Sequence, residues 1–217
     1  MLSELKPALR LLLVLTVLTG AIYPLAVTGV ARLLFPAEAK GSLFENEDGK
    51  LIGSALIGQR FVSPGYFHSR PSAAGNTGYD ATQSGGSNLP VTSKTLVADI
   101  AARAAAARAD YSAAEPAGSA PPVPLDLVTT SASGLDPHVS PAAALYQVPR
   151  VARVRRIGEG ELRTLVDLLT EKRDFGILGE PRINLLKLNL ALDELVSTLA
   201  PPPPPPPPPP APTPKIK

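Results

Sequence analysis

The sequence predicts an α+β chain: a single N-terminal transmembrane helix, then one mixed α/β soluble domain, then a disordered polyproline tail. Three observations carry this expectation. Residues 11–31 read LLLVLTVLTGAIYPLAVTGVA, an apolar run without a charge. Residues 36–200 hold short strand-like and helix-like stretches in irregular order, the pattern of an α+β body. Residues 201–210 are consecutive prolines, which have no N–H to give and adopt polyproline II. The expected units are therefore a short N-terminal segment (1–10), the span (11–31), the soluble domain (36–200) and the tail (201–217).

Composition narrows the chemistry. Charged residues are 18% of the chain, below the usual ~25%. The net charge of +2, from 21 basic and 19 acidic residues, points to no nucleic-acid partner. Cysteine is absent, which excludes disulfides, thiolate metal sites and cysteine nucleophiles. His68 and His138 are the only imidazoles, so no metal of its own is expected. Of the 26 prolines, 12 follow Ala200, so the proline excess belongs mostly to the tail.

At 1.5 Å per residue the run from Leu11 to Ala31 is roughly 32 Å long, which matches a bilayer core. A secretory signal has a shorter apolar stretch and a small-x-small cleavage site, and Val27-Thr28-Gly29 after Pro24 offers a poor one. A retained anchor is expected. Pro24 cannot donate to the carbonyl of Gly20, so a kink is expected there. Thr16 and Gly20 share one face and leave room for a neighbouring helix. Lys6 and Arg10 on one side balance Arg32, Lys40 and Lys50 on the other, so flanking charge sets no orientation.

Within the body, Ser42–Glu45 and Lys50–Ile57 read as strands around Asn46-Glu47-Asp48-Gly49, where glycine suits a positive φ. Residues 61–90, rich in Gly, Ser, Pro and Asn, form a loop too long to be a mere connection. Lys94–Tyr111 is Ala-rich with Leu96, Ile100 and Ala104 at helical spacing. An Ala/Pro connector (113–124) leads to a predicted strand at Val123–Thr130. Ser140-Pro141 supplies an N-cap and a first-turn proline. Glu161–Lys172 has helical spacing of Leu162, Leu165, Val166 and Leu169, and Ile183–Leu192 reads as a buried strand.

Catalytic patterns are missing. There is no G-x-x-x-x-G-K-[ST], no G-x-G-x-x-G after a strand and no G-x-S-x-G. Asp136, His138 and Ser140 are the residue types of a hydrolase triad, but they lie within five residues, where Asp136-Pro137 and Ser140-Pro141 favour a turn. Arg150, Arg153, Arg155 and Arg156 read as the solvated face of a helix, with phosphate binding as the other option. The polar groups His68, Arg70, Asp80, Asn88, Asp136, His138 and Arg150 are costly to bury unpaired, and are expected to meet water or another protein. The run Gln83-Ser84-Gly85-Gly86-Ser87-Asn88 offers backbone N–H groups for an anion nest, or is simply a flexible loop.

Three blocks, YFHSRPSAAGNTGYDATQSGGSNLP (66–90), SGLDPHVSPAAALYQVPRVARVR (133–155) and FGILGEPRINLLKLNLALD (175–193), resemble the C subunit of the bacterial potassium-transporting P-type ATPase. The likeness covers about residues 1–200, and the single span matches as well. It implies a non-catalytic inner-membrane subunit beside a channel-like potassium-binding subunit and an ATP-hydrolysing one. It further implies a catalytic chaperone that raises the pump subunit's affinity for ATP or stabilises the assembly. The family's Ser-Gly-Gly stretch, likened to the nucleotide-contacting signature of ABC transporters, maps onto Gln83, Ser84, Gly85, Gly86, Ser87 and Asn88. ATP would thus be a shared ligand.

The Asp-Lys-Thr-Gly-Thr phosphorylation sequence of P-type pumps is absent. The loosened 113–124 stretch and the tail after Ala200 depart from the family pattern. Family topology implies that the body lies on the external, periplasmic side, where ATP is scarce; a nucleotide role asks for the cytoplasm. The alternatives are a free-standing membrane-anchored binding module with the 61–90 loop as ligand surface, and an anchored hydrolase using Asp136, His138 and Ser140.

Overall fold

The computed structural model describes residues 2–46, 48–115 and 120–199. Turn residue Glu47, part of the Ala/Pro connector and the expected polyproline tail lie outside the described residues. Helix α1 (Leu2–Val17) runs through a π-helical stretch, Leu18–Ile22, into α2 (Tyr23–Leu34). Ser3–Leu34 is long and apolar enough to cross a membrane, and none of it is buried. The π stretch ends just before Pro24, the residue at which the sequence predicts a kink. The Tyr23 N–H bonds the Leu18 carbonyl, five residues back, one of the usual ways a proline is accommodated in a helix.

A one-turn helix, α3 (Pro36–Ala39), follows, and the chain reverses at Gly41 and Ser42, both with positive φ. The N–H groups of Ala39, Lys40, Gly41 and Ser42 all bond carbonyls between Phe35 and Glu38. The Ser54 hydroxyl donates to the Gly41 carbonyl (2.7 Å) and the Ala55 N–H to that of Ser42 (2.9 Å). These bonds tie the reversal to an antiparallel hairpin, β1 (Leu43–Glu45) and β2 (Leu51–Ser54), whose register shifts between Phe44 and Glu45.

Helix α4 (Lys94–Ala114) starts at the Ser93 cap and ends three residues beyond the expected range. No strand forms at 123–130. A short 3₁₀ turn, Leu125–Leu127, stands there instead, because side chains occupy this segment's polar groups. Arg103 donates to the Val128 carbonyl (3.1 Å), and the Asp126 carboxylate accepts the Ser140 N–H (2.7 Å). Helix α5 (Pro141–Arg155) begins as its cap predicts, with Ser140 Oγ accepting from the Ala143 N–H. Helix α6 covers Glu159–Leu168. The residues after it leave the helix because Glu171 pairs with Arg182 in an antiparallel bridge.

The expected strand at 183–192 is corrected to a two-residue strand and a helix. Strand β4 (Ile183–Asn184) pairs antiparallel with β3 (His138–Val139), and α7 runs from Leu185 to Leu199. Asn184 Oδ1 accepts the Lys187 N–H (3.1 Å) and so caps α7. Leu185, Leu188 and Leu192 are then buried at helical spacing.

The core lies among α5, α6 and α7. Val148, Val151, Leu162, Val166, Ile183, Leu188 and Leu192 are fully enclosed there. Truncating such a leucine to alanine costs about 2–5 kcal/mol. One further core residue, Phe67, comes from the long irregular segment and anchors it to the helices.

Candidate functional site

No helix or strand forms between Ala55 and Ser93, yet the segment is held closely by side chains. Two carboxamides clamp consecutive residues. Asn189 of α7 accepts the Phe67 N–H (2.9 Å) and donates to the Phe67 carbonyl (3.0 Å). Gln147 of α5 does the same for His68, at 2.7 and 3.2 Å. Each amide satisfies a backbone N–H and C=O as a neighbouring strand would.

Arg150 and Arg155 continue the clamp, which corrects the expectation of a solvated face for these two, whereas Arg153 and Arg156 are exposed as that expectation has it. Arg150 is 9% exposed and donates to the Pro64 and Tyr66 carbonyls and to Gln147 Oε1. Burial lowers its pKa, against the pull of Asp110. Arg155 donates to the Gly65 carbonyl (2.8 Å) and to Asp193 (2.8 Å), and lies over the Tyr66 ring at 4.4 Å from its centroid. The Tyr66 hydroxyl donates to the same Asp193 carboxylate. Arg153 reaches the Ala113 carbonyl of α4, and Arg156 closes α5 in the left-handed conformation. Arg150 and Arg155 staple loop to helix because their guanidiniums find backbone carbonyls opposite them.

Further along, Arg70 pairs with Asp136 (2.9 Å). Burial alone would raise the Asp136 pKa, but hydrogen bonds from His138 and Arg70 hold it below the usual carboxylate range. The Ser72 hydroxyl donates to the Gly134 carbonyl and accepts the N–H groups of Ala74 and Tyr79. Tyr79 donates to the Arg70 carbonyl, and its burial raises the hydroxyl pKa. Gly134, at φ +67°, is crowded: a Cβ there would lie 2.6 Å from the Gly85 carbonyl oxygen and 2.7 Å from the Ala74 nitrogen.

The strip Gln83–Asn88 lies along residues 130–134. Ser84 Oγ and the Gly85 N–H both donate to the Ser133 carbonyl, at 3.0 and 2.8 Å, and Thr130 donates to the Ser87 hydroxyl at 3.4 Å. A Cβ on Gly86 would stand 3.0 Å from the Ala132 carbonyl oxygen, whereas Gly85 has open space. Gln83 is tethered to Asp80 and Asn88 turns with φ +51°. The strip is a fixed surface feature whose Gly85 N–H is already used.

Of the polar groups expected to meet water or a partner, Arg70, Asp136 and Arg150 instead have side-chain partners within the chain, the His68 ring bonds the Ser63 carbonyl, and the His138 ring lies 3.7 Å from Asp136. Asp80 folds onto Thr82 and Gln83, whose hydrogen bonds lower its pKa. Asp136, His138 and Ser140 do share an open cleft of about 630 Å³ with Asp126, Glu180 and Arg182. Their roles there are structural. Asp136 holds Arg70 and the His138 N–H, and Ser140 Oγ is a helix cap. No hydrogen bond joins His138 to Ser140 among the described residues.

A smaller cavity of about 230 Å³ lies between α4 and α5, lined by His68, Arg103, Asp110, Tyr111 and Tyr146. Burial, with Arg150 nearby, lowers the His68 pKa, and the Ser63 carbonyl bonded to its Nε2 opposes the shift.

Asn189, Gln147, Asp193 and Asp126 carry much of this architecture and were not singled out from sequence. The available signal was a polar residue set within an apolar helical face, as Asn189 lies between Leu188 and Leu192.

The family model described as "K+-transporting ATPase, c chain" matches residues 5–194. The chain is 52% identical over 198 residues to the potassium-transporting ATPase KdpC subunit of Gemmatimonas aurantiaca, covering 91% of this chain and 96% of that one. It is 56% identical over 197 residues to the KdpC subunit of Polaromonas naphthalenivorans (91% and 97%). It is 54% identical over 195 residues to that of Methylococcus capsulatus (90% and 100%).

Proposed function

The chain belongs to the family of K+-transporting ATPase c chains, and from that premise we propose that it is a membrane-anchored, non-catalytic subunit of an ATP-driven potassium importer. Its partners are a potassium-binding subunit and an ATP-hydrolysing P-type subunit. The observation that carries the reading is the use made of the polar side chains between residues 63 and 140. They hold an irregular surface in one shape, and the residue types of a hydrolase serve as a cap and an ion pair. A surface fixed in this way, beside a bare apolar helix, suits a subunit that others dock on.

In this reading the body lies on the external side and acts as a catalytic chaperone, raising the pump's affinity for ATP through the strip Gln83–Asn88. One observation favours a second role for that strip. The Gly85 N–H is bound to Ser133, which removes a donor from any anion nest and favours stabilising the assembly at the potassium entrance. Gly85→Val adds bulk where nothing stands within 4 Å. Its effect on the reconstituted complex separates the roles: a raised KM for ATP supports the chaperone, and an altered potassium affinity with unchanged ATP dependence supports the entrance. A normally assembled complex with neither change removes the strip from function. ATP turnover by the isolated chain would overturn the accessory assignment. A cysteine introduced into this cysteine-free body and labelled from either side fixes its placement.

A further inference from the structure

We infer that the cavity between α4 and α5 is a binding site for a small organic carboxylate, a monoanion with a compact apolar body. The inference is independent of the strip Gln83–Asn88 and of the chain's place in a complex. It starts from Arg150. This residue is 9% exposed, and its guanidinium bonds only neutral oxygens, the Pro64 and Tyr66 carbonyls and Gln147 Oε1. Among the described residues no carboxylate stands within ion-pair distance of it. Asp110, whose pull it feels, lines the same cavity without forming an ion pair. A buried cation is costly unless an anion answers it. A guanidinium has five N–H donors, and three bonds leave two of them unused here. Among the described residues the enclosed side-chain atom without a partner is Arg70 Nε, not one of Arg150, so those donors are not sealed off.

The rest of the lining fits such a guest. Arg103 brings a second guanidinium, which bonds the Val128 carbonyl and stands 3.8 Å from Asp99. Burial favours the neutral form of His68. The two arginines therefore outnumber Asp110, the one carboxylate that lines the cavity among the described residues. The apolar part of the wall is Ala107 and the rings of Tyr111 and Tyr146, whose centroids are 5.0 Å apart. The volume is about 230 Å³, below the roughly 300–1,000 Å³ of pockets for drug-sized ligands. That excludes a nucleotide and suits a single ring or a branched chain. Guanidinium forks match a planar carboxylate, whereas a hydrated inorganic ion would leave the tyrosine rings without a contact. Helix α4 has no buried residue of its own, so a guest beneath it would hold it to α5.

Hydrogen exchange of the full-length chain in detergent provides the test, read on the amides of α4 with benzoate as the probe. Benzoate should slow them, about tenfold when it stands at roughly ten times its Kd, while α6 exchanges as before. Benzamide, its neutral isostere, should do nothing at the same concentration. Ala107→Leu fills the cavity with a good helix former, removes no polar group and should abolish the slowing. Arg103→Gln, which removes a charge instead of space, should weaken benzoate binding several-fold. Equal slowing by benzamide overturns the inference by making the cavity an apolar hole. Slowing by benzylammonium in place of benzoate overturns it by making Asp110 the anchor, and slowing by ATP in place of benzoate by making this a nucleotide site. No change with benzoate well above the millimolar range, or a benzoate effect that survives Ala107→Leu, overturns it as well.

Discussion

Asn189 holds Phe67 by both of its backbone polar groups, 122 positions away in sequence, and both residues are essentially excluded from solvent (1% and 0% exposed). The ring of Phe67 enters the core between the helices, and the amide of Asn189 makes that entry possible by satisfying the peptide groups that are buried with it.

Asn189→Leu keeps the branched side-chain skeleton and removes both bonds. Two buried backbone groups then lack partners, and the chain should lose about 2–5 kcal/mol of stability. Thermal or denaturant unfolding of the full chain in detergent checks this. A loss under about 1 kcal/mol would show that water replaces the amide.

Ser140→Ala separates a cap from a nucleophile. As the N-cap of α5, Ser140 contributes through the Ala143 N–H, and its removal should cost about 0.5–2 kcal/mol. Potassium-stimulated ATPase activity of the assembled complex should be unchanged. Lost activity at full assembly would return Ser140 to the chemistry.

Gly134→Ala and Gly85→Ala should differ sharply. The first puts a Cβ against the Gly85 carbonyl and the Ala74 nitrogen at positive φ, with backbone on both sides that has little room to yield. The second enters open space. The Gly134 variant is expected to reduce recovery of folded protein, and the Gly85 variant to melt like the wild type. Similar melting of the two would mean that the 72–74, 85 and 134 crossing relaxes easily.

Burial and the neighbouring Arg150 depress the His68 pKa in the folded chain, with the Ser63 carbonyl opposing them. The unfolded chain, at the ordinary value of 6.5, therefore takes up the proton first. The stability from a neutral His68 is present above that value and declines as pH falls through 6.5 towards the folded pKa. Asp136, also depressed, loses its contribution only below its ordinary value of 3.8. His68→Gln should flatten the melting temperature between about pH 7 and pH 5. An unchanged slope in that variant would place the titration elsewhere.

The span, the Ser140 cap and the β1–β2 hairpin were legible because each is written in neighbouring residues: an uncharged run, a Ser-Pro pair, a turn with glycine. Ile183–Leu192 was misread because its leucines satisfy both periods over a short stretch. Asn184 as a cap was the local sign that favoured helix. Val123–Thr130 has strand composition, but Arg103 and Asp126 engage that segment and its neighbour through side chains brought together by the fold. The arginines of α5 were hardest to read. Whether a guanidinium faces water or the Pro64 and Tyr66 carbonyls depends on a loop some 85 positions earlier, and no local pattern encodes that.

The joint between span and body has a mechanical consequence. Four successive N–H groups from Ala39 to Ser42 are bonded within the joint, and two more bonds fasten its reversal to the β1–β2 hairpin. There is little slack between the apolar N-terminal helix and the body, so a tilt or twist of that helix reaches the hairpin as a rotation instead of dissipating in a floppy tether. The hairpin passes it on through the Ala55 carbonyl, which accepts from Asn184 at the head of α7. Asn189, one turn further along α7, grips the loop. A torque applied to the N-terminal helix thus has a continuous bonded route to Phe67.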